Sequence, residues 1–404
     1  MNTASLSAVL QRGNTPWYAR QVIHLLQEIE HGCLHLELPG GMELTLGHGS
    51  PDAHLKFNTW RAFRDVLQKG DIGFAEGYID GDWQTADLTG LLCLLANNRD
   101  AIDQAIYGRW WGRLYNRLRH LLNANTPAGS RRNIASHYDL GNDFYALWLD
   151  PSMTYSSARF DGDVSLSLEA AQTRKYQRML DLLDLPPGQS LLEIGCGWGG
   201  FAEHAARTAG HQVRGITLSQ AQLDYARARV RQARLDADCQ FDFQDYREEA
   251  RQYDGIVSIE MFEAVGEAYW PAYFDTLKKS LKPRARAVVQ TILIDDALFE
   301  RYRAGSDFIQ QYVFPGGMLP SPRRFVEEAT RAGLAVTAQE HFGLDYAETL
   351  RRWRLAFHAQ IDEVRQRGFD ERFLRIWHFY LAYCEAGFRA GSIDVAQFRI
   401  EHGA

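Results

Sequence analysis

A glycine-rich loop with an acidic residue just before it is the part of this sequence best suited to chemistry. The run LLEIGCGWGG (191–200) places Glu193 two residues ahead of Gly195, and a helix-forming segment, 201–208, follows. Glycine lets a backbone turn sharply and approach a ligand closely, because it carries no Cβ. The N-terminus of the following helix adds free N–H groups that attract polar ligands. The pattern therefore predicts a pocket for a nucleotide-like cofactor at the edge of a parallel sheet.

The spacing of the glycines fits two kinds of cofactor. Gly195, Gly197 and Gly200 match the dinucleotide pattern, whereas Gly195, Gly197 and Gly199 match the tighter pattern of S-adenosylmethionine enzymes. A dinucleotide site also needs a carboxylate about 20 residues further on to bind the ribose, but the next apolar run ends in TLS (217–219). Here the acidic residue precedes the glycines, as it often does in S-adenosylmethionine enzymes. The residues thus favour S-adenosylmethionine over a dinucleotide, and over a turn that binds nothing.

Composition restricts the class of protein. The chain has 404 residues, enough for two domains, and its 46% hydrophobic and 24% charged residues are ordinary for a globular protein. Its net charge of −7 argues against nucleic acid as a partner. Five scattered cysteines form no disulfide or zinc-binding pattern, so we expect no metal site and a reduced, cytoplasmic protein. We find no stretch long enough to span a membrane and no signal-peptide pattern.

A basic and aromatic segment precedes the glycine loop. Arg109, Arg113 and Arg117 share one helix face by i, i+4 spacing, beside Trp110 and Trp111. Such a face suits an anionic membrane surface. It equally suits a solvated helix whose aromatic residues pack inward. Both interpretations remain open.

Strands and helices alternate around the glycine loop. The strands are predicted at 191–194, 212–216, 239–243, 255–259 and 287–294, with helices between them. This order predicts an α/β fold with a doubly wound, Rossmann-like parallel sheet whose ligand crevice lies at the carboxyl ends of the first two strands.

A smaller mixed α/β domain is predicted before this sheet. We place an N-terminal lipid-associated or dimerisation domain at 1–123, a Pro- and Gly-containing linker at 124–133, and the catalytic domain at 134–404. The aromatic-rich segment 299–322 interrupts the alternation. We expect it to be an insertion over the active site.

Several motifs in a fixed order resemble one known family. They are HYDLGNDFY (137–145), LWLDP (147–151), MTYS (153–156), the glycine loop, TLSQAQ (217–222), MFE (261–263), FPGG (314–317) and LPS (319–321). Together they resemble the cyclopropane-fatty-acyl-phospholipid synthases and mycolic acid cyclopropane synthases, which are S-adenosylmethionine-dependent enzymes that act on unsaturated lipid acyl chains. The resemblance extends over residues 130–390.

The resemblance implies which residues bind the cofactor. Tyr155 and Ser156 would contact its methionine end, and Thr217 its ribose side. Tyr246 and Ile259 would flank the adenine; the alternative is that both are core residues. The full predicted set is Tyr155, Ser156, Glu193, Gly195, Cys196, Gly197, Gly199, Thr217, Leu218, Ser219, Gln222, Tyr246, Arg247 and Ile259.

The resemblance also implies a site for the base. In this family the base is identified as a bound bicarbonate, held by Cys, Glu, His, a backbone group and Tyr. The matching positions here are Ser157, Glu263, Gln290, Ile292 and Tyr346, so the Cys and the His are replaced. Ser and Gln can donate hydrogen bonds to an anion, but neither carries a positive charge or relays a proton near neutral pH. We therefore expect weakened bicarbonate binding.

The resemblance implies methyl transfer to a carbon–carbon double bond. An alkene is a weak nucleophile, so donor and double bond must be aligned in a dry slot. The resulting carbocation needs a carboxylate, worth roughly 4 kcal/mol at about 4 Å, or aromatic faces, worth about 0.5–2 kcal/mol each. We expect Glu263 to be this carboxylate. Loss of a proton then gives a cyclopropane or a methylated alkene, and the altered base pocket leaves both outcomes open.

The expected substrate is an unsaturated phospholipid, and the expected enzyme is a homodimer at the inner face of the cytoplasmic membrane. One alternative is methylation of nitrogen or oxygen, which IEMFE (259–263) disfavours because it lacks the Asn/Asp-Pro-Pro-aromatic run of amino-methylating enzymes. Another is a non-catalytic lipid- or cofactor-binding protein, of which Ser157 and Gln290 would be signs.

Overall fold

The computed structural model describes residues 15–99 and 140–403. These residues form two compact units. The first contains residues 15–99, Ala304–Val313 and Ile361–Ser392, and the second contains the remainder. Residues 304–313 and 361–392 were predicted to belong to the catalytic domain. In the structure they belong to the first unit, with the N-terminal elements. The predicted linker and the basic segment around Arg113 lie outside the described residues.

The elements are numbered in chain order. Before residue 100 they are α1 (Trp17–Leu26), β1 (Gly32–Leu38), β2 (Met42–His48), β3 (Asp52–Phe57), α2 (Arg61–Lys69), α3 (Asp71–Ile79), β4 (Trp83–Gln84) and α4 (Leu88–Asn97). After residue 139 they are α5 (Asn142–Tyr145), α6 (Leu168–Leu183), β5 (Ser190–Ile194), α7 (Gly200–Ala209), β6 (Gln212–Thr217), α8 (Gln220–Gln232), β7 (Cys239–Phe243), β8 (Tyr253–Ile259), α9 (Trp270–Ser280), β9 (Leu281–Ile294), α10 (Asp296–Ala304), α11 (Phe308–Tyr312), α12 (Pro322–Arg331), β10 (Leu334–His341), α13 (Gly343–Ala359), α14 (Ile361–Gln366), α15 (Glu371–Arg389) and β11 (Ile393–His402).

The first unit is a mixed α/β fold around a four-stranded sheet of order β2-β1-β3-β4. Strand β1 is antiparallel to β2 and parallel to β3. Alternate residues of a strand face opposite sides, and the leucines of β1 to β3 are buried on one face. Helix α15 packs against α3 and α4, which explains why its segment groups with this unit.

The glycine-rich stretch 70–83 contains the helix α3. Gly73 is required there by close packing rather than by a turn, since a Cβ on it would lie 2.1 Å from the carbonyl oxygen of Asp65. The glycine thus lets α3 approach α2.

The second unit contains a seven-stranded sheet of order β10-β11-β9-β8-β5-β6-β7. Strands β9, β8, β5, β6 and β7 are parallel, which confirms the predicted doubly wound sheet. Strand β11 pairs antiparallel with both β9 and β10. Neither of these two strands was predicted. For β10 the reason is that it is an edge strand with mostly half-exposed residues and lacks an apolar run.

Side-chain caps fix where the helices around the sheet begin. Ser167 accepts a hydrogen bond from the Ala170 amide at the start of α6, and Ser219 accepts one from Gln222 at the start of α8. Such caps satisfy N–H groups that have no partner within the helix. Within the described residues no helix has both the length and the apolar character needed to cross a bilayer.

Candidate active site

The glycine loop joins β5, the middle one of the five parallel strands of the large sheet, to α7. Gly195, Gly197 and Gly199 have φ values of 81°, 50° and 81°, a region that glycine enters without strain. The loop is held to β6 because the amides of Gly195 and Cys196 donate to the carbonyl of Ile216, at 3.0 and 3.1 Å. A Cβ on Gly197 would meet no atom within 4 Å. The loop therefore leaves open space beside its backbone.

Three predicted cofactor residues form a buried hydrogen-bonded cluster at the end of β6. Thr217 Oγ1 donates to Gln222 Oε1 at 3.1 Å and accepts from the Ser219 amide at 3.1 Å. The Gln222 amide in turn donates to Ser219 Oγ at 3.3 Å. Leu218, between them, is partly exposed. Because β6 is parallel to β5, this cluster lies at the same edge of the sheet as the glycine loop.

Tyr246, Arg247 and Ile259 have the surroundings of structural residues. Tyr246 belongs to a core cluster and packs edge-to-face on Tyr273 with ring centroids 5.6 Å apart. The Arg247 guanidinium pairs with Asp245 at 2.6 Å and lies over the Tyr246 ring. Ile259 packs against a second core cluster. These contacts match the alternative core interpretation, and contact of these residues with a cofactor stays a prediction.

A buried lysine that the sequence analysis missed lies among the predicted residues. Lys175 of α6 is fully buried, and its Nζ donates to Ser156 Oγ at 2.6 Å. Burial lowers the pKa of Lys175 to about 7, although the carboxylates of Glu260, Asp150 and Glu193 favour its charged form. Lys175 thus provides a cationic or neutral hydrogen-bond donor at the centre of the site.

Glu193 is also enclosed, at 3% exposure. Burial raises the pKa of Glu193 well above its usual value, and Lys175 opposes this rise. Among the described residues Glu193 Oε2 has no hydrogen-bond partner. A buried polar atom of this kind is costly unless a ligand or water satisfies it. This carboxylate is therefore available to a bound molecule.

Glu260, which the sequence analysis also missed, lies at the centre of the predicted base pocket. Its Oε1 accepts hydrogen bonds from the Ser157 amide and from Gln290 Nε2, both at 2.8 Å. Its Oε2 accepts one from the Tyr346 hydroxyl at 2.6 Å. The donors that were expected to hold bicarbonate therefore surround a carboxylate of the protein itself. Glu260 also has a φ of 49°, an uncommon conformation for a residue other than glycine.

A chain of side chains fixes the amide of Gln290. Gln397 Nε2 donates to Gln290 Oε1 at 3.0 Å, and Arg159 Nη1 donates to Gln397 Oε1 at 3.1 Å. Arg159 is held by Glu340 at 2.7 Å. Because the Gln290 oxygen is occupied in this way, its NH₂ group faces Glu260.

Glu263 lies in a separate pocket beside Glu260. It accepts hydrogen bonds from Thr291 Oγ1 at 2.9 Å and from the Ile292 amide. Its other oxygen is buried and has no partner among the described residues. Burial raises the pKa of Glu263 to about 8, and the negative charge of Glu260 adds to the rise. Of the other residues predicted to hold bicarbonate, Tyr346 donates to Glu260 and the Ile292 amide donates to Glu263.

Aromatic rings extend from the predicted cofactor residues to the residues around Glu260. The ring of Tyr155 lies 5.3 Å from that of Tyr145, 5.5 Å from that of Trp148 and 5.4 Å from that of Trp353. Trp353 also meets Tyr346 edge-on at 6.1 Å. An aromatic wall therefore runs from the residue beside Ser156 to the residue that contacts Glu260.

The aromatic residues of 299–322 do not form this wall as a group. Phe308 and Tyr312 lie in the first unit, where Phe308 packs edge-on against Phe379. Phe299 belongs to a core cluster of the second unit. The segment is thus divided between the two units, contrary to the expectation of one insertion.

The site combines features that fit S-adenosylmethionine with features that fit proton removal. The open side of the glycine loop, the Thr217 cluster and the unpartnered oxygen of Glu193 suit a small polar cofactor. The two adjacent carboxyl groups, Glu260 and Glu263, suit the stabilisation of positive charge and the acceptance of a proton.

Comparison with known proteins identifies the relatives of this chain. Residues 126–398 match the family model of mycolic acid cyclopropane synthetase. Tuberculostearic acid methyltransferase UfaA1 of Mycobacterium tuberculosis is 39% identical over 345 residues, which are 83% of this chain and 80% of that protein. Cyclopropane-fatty-acyl-phospholipid synthase of Escherichia coli is 33% identical over 369 residues, 88% of this chain and 90% of that protein. The structure of mycolic acid cyclopropane synthase CmaA1 complexed with SAH and CTAB matches with a TM-score of 0.63 at 31% identity, covering 67% of this chain and 97% of that chain.

Proposed function

Because this chain belongs to the mycolic acid cyclopropane synthetase family and is an S-adenosylmethionine-dependent methyltransferase, we propose that it methylates a double bond in the acyl chain of an unsaturated phospholipid. The proposal further assigns the role of the base to Glu260. One observation carries it: the donors of Ser157, Gln290 and Tyr346 all converge on the Glu260 carboxylate.

The residues around the glycine loop would hold the cofactor. Ser156 and Glu193 would face its polar amino-acid end. Lys175 donates a hydrogen bond to the Ser156 hydroxyl, and Glu193 Oε2 has no hydrogen-bond partner among the described residues. Thr217 and Gln222 would face its ribose. When bound, S-adenosylmethionine supplies a methyl group activated by a sulfonium.

Glu263 would stabilise the positive charge on the acyl chain. When the π electrons of the alkene form the new C–CH₃ bond, the electrons of the broken S–CH₃ bond would stay with the sulfur, and the neighbouring carbon would become a carbocation. A cation nearby favours the ionised form of a carboxyl group, so it would counteract the burial that holds the pKa of Glu263 at about 8. The rings of Tyr155, Trp353 and Tyr346 would face the same charge.

Glu260 would then accept a proton from a C–H bond of the methylated chain. The electrons of that bond would neutralise the carbocation. A proton lost from the adjacent chain carbon leaves a methylated alkene, whereas one lost from the new methyl group closes a cyclopropane. We propose the methylated alkene as the main product. Two observations support it: the Glu260 carboxylate, the proposed base, is fixed by three hydrogen bonds, and the identity to the tuberculostearic acid methyltransferase, 39%, exceeds the 33% identity to the cyclopropane synthase of Escherichia coli.

The contacts of Ser157 and Gln290 favour catalysis over loss of function. Gln290 donates to Glu260 through its side chain and Ser157 through its backbone amide, while the Ser157 hydroxyl donates to the Ala158 carbonyl, so the pocket contains a carboxyl group held by both residues. We propose further that the enzyme meets its substrate at a membrane surface, since acyl chains lie in the bilayer. That it works there as a homodimer stays a prediction.

The proposal is tested with vesicles of a phospholipid that carries one cis double bond in each chain. After incubation with S-adenosylmethionine, the fatty acid methyl esters are analysed by mass spectrometry before and after mild catalytic hydrogenation. We expect a gain of one CH₂ unit, and a product that then takes up hydrogen, as an alkene does. A product that resists hydrogenation would be the cyclopropane and would overturn the product assignment. Absence of any CH₂ gain would overturn the function.

A further inference from the structure

Three side chains of metal-binding type meet on the outer face of the small sheet. Cys33 and His35 are two residues apart on β1 and therefore point to the same side. Asp52 of β3 lies directly opposite Cys33 in the parallel register. One potential ligand atom from each of the three lies within 4.8 Å of the other two. The leucines of these strands are buried on the opposite face.

The separation of the first two ligands is already that of a metal site. Cys33 Sγ and His35 Nε2 are 3.5 Å apart. In tetrahedral zinc sites, with Zn–S of about 2.3 Å and Zn–N of about 2.0–2.1 Å, a sulfur and a nitrogen ligand lie about 3.5 Å from each other. An ion could therefore replace the present thiol–imidazole contact without separating the two side chains.

The second ring nitrogen of His35 is held in the manner of a metal ligand. His35 Nδ1 lies 3.2 Å from Thr45 Oγ1 on β2. The ring also stacks on His54 of β3, with centroids 4.6 Å apart and planes inclined by 19°. Histidines that bind metals are oriented by a hydrogen bond from the nitrogen that does not bind. With Nδ1 donating to Thr45, the lone pair of Nε2 faces Cys33.

The charges around the cluster favour a cation. Asp52 is exposed and lies opposite Cys33 on the neighbouring strand, so its carboxylate is available on the same face. The nearest lysine of the same face, Lys56, is paired with Glu37 at 2.7 Å. A divalent ion would replace the thiol proton and neutralise both anionic ligands.

We propose that Cys33, His35 and Asp52 bind one divalent metal ion of the zinc type, with water as the fourth ligand. A thiolate, an imidazole and a carboxylate are together a donor set that zinc accepts. The ion would bridge β1 to β3 and stabilise the first unit. The spacing of the cysteines could not indicate this site, because its third ligand comes from another strand. The inference does not depend on the proposed methyl transfer.

Cobalt is the probe for this site, because zinc itself has no visible spectrum. The full-length protein is treated with EDTA, desalted and titrated with CoCl₂. We expect one equivalent of Co²⁺ to produce a thiolate-to-cobalt charge-transfer band, which Zn²⁺ then abolishes. Cys33→Ser should lose the band, whereas Cys93→Ser, a matched change on α4 of the same unit, should keep it. No thiolate band in the wild type, or a band that persists in Cys33→Ser, would overturn the proposal.

Further variants separate ligation from folding. Thr45→Val keeps a β-branched shape but removes the partner of His35, and it should weaken binding about 10–100-fold. His24→Gln, at an exposed position of α1, should leave the affinity unchanged. If circular dichroism shows Cys33→Ser to be unfolded, Asp52→Asn takes its place, since that carboxylate is exposed. Unchanged cobalt affinity in folded Asp52→Asn would also contradict the assignment.

Discussion

The hydroxyl of Tyr346 donates a hydrogen bond of 2.6 Å to Oε2 of Glu260. A hydrogen bond to the charged form of a carboxyl group lowers its pKa, so Tyr346 opposes the rise in the pKa of Glu260 that burial causes. The Ser157 amide and the Gln290 side chain act in the same direction. The three donors therefore favour the ionised form of the proposed base against the effect of its burial.

Replacing Glu260 by glutamine tests the base directly. Glu260→Gln has nearly the same shape but cannot accept the proton, so we expect kcat to fall by about 10²–10⁴-fold. Binding of S-adenosylhomocysteine, measured by calorimetry, should stay unchanged. Glu169→Gln, at an exposed position of α6, is the matched control. Retention of most of the activity by folded Glu260→Gln would rule out the assigned role.

Replacing Glu260 by glycine should make activity depend on an added anion. Glycine accommodates the φ of 49° at this position and leaves the Ser157, Gln290 and Tyr346 donors without their carboxylate. We expect Glu260→Gly to be nearly inactive in CO₂-depleted buffer and to regain activity with bicarbonate or formate. The wild type should respond to neither anion. A wild-type enzyme that stops in CO₂-depleted buffer would show that bicarbonate remains the base.

Gln397 is expected to act through Gln290. Gln397→Leu removes the donor that fixes the Gln290 amide, so this amide could rotate and present its oxygen to Glu260. We expect a loss of about 1–3 kcal/mol in the free energy of unfolding, because a buried polar group loses its partner, and a lower kcat with little change in KM. Gln339→Leu, exposed on β10, serves as the control. A kcat equal to that of the wild type would contradict the positioning role.

Lys175 should set the pH range of the reaction. Its charge favours the ionised forms of Glu260 and Glu193. In Lys175→Met we therefore expect the pKa of Glu260 to rise, so that the ascending limb of the kcat profile moves to higher pH. Activity at pH 7 should be low and should partly recover at higher pH. Loss of activity by the same factor at every pH would indicate a purely structural role.

Glu263 should make stability depend on pH in a defined direction. Its pKa is raised from the usual 4.5 to about 8 in the folded state. The folded chain thus retains this proton where the unfolded chain has released it, and linkage requires the free energy of unfolding to fall as pH rises between these two values. Glu263→Gln removes this contribution, so its unfolding free energy from urea titrations should depend less steeply on pH. An equal slope in the two proteins would show that Glu263 is ionised in the fold.

The glycine loop and the strands that frame the predicted cofactor site could be predicted from local sequence. The glycine loop, the TLS end of β6 and the apolar runs of the parallel strands are contiguous segments, and their spacing determines where backbone turns and strands end. Lys175 was missed, although it lies four residues from both Ala171 and Met179, which are fully buried. That helical spacing was an available indication that the lysine points into the core.

The sequence alone determined the doubly wound sheet, the glycine loop and the family, because these depend on residues that are close in the chain. Only the tertiary structure showed that Glu260 accepts the hydrogen bonds of Ser157, Gln290 and Tyr346. Its three donors lie 103, 30 and 86 residues away in the sequence, and β9 and α13 must pack beside β8 before they meet. The pKa and the role of a carboxylate depend on the groups that surround it in space. The spacing of residues along the chain does not indicate which groups those are.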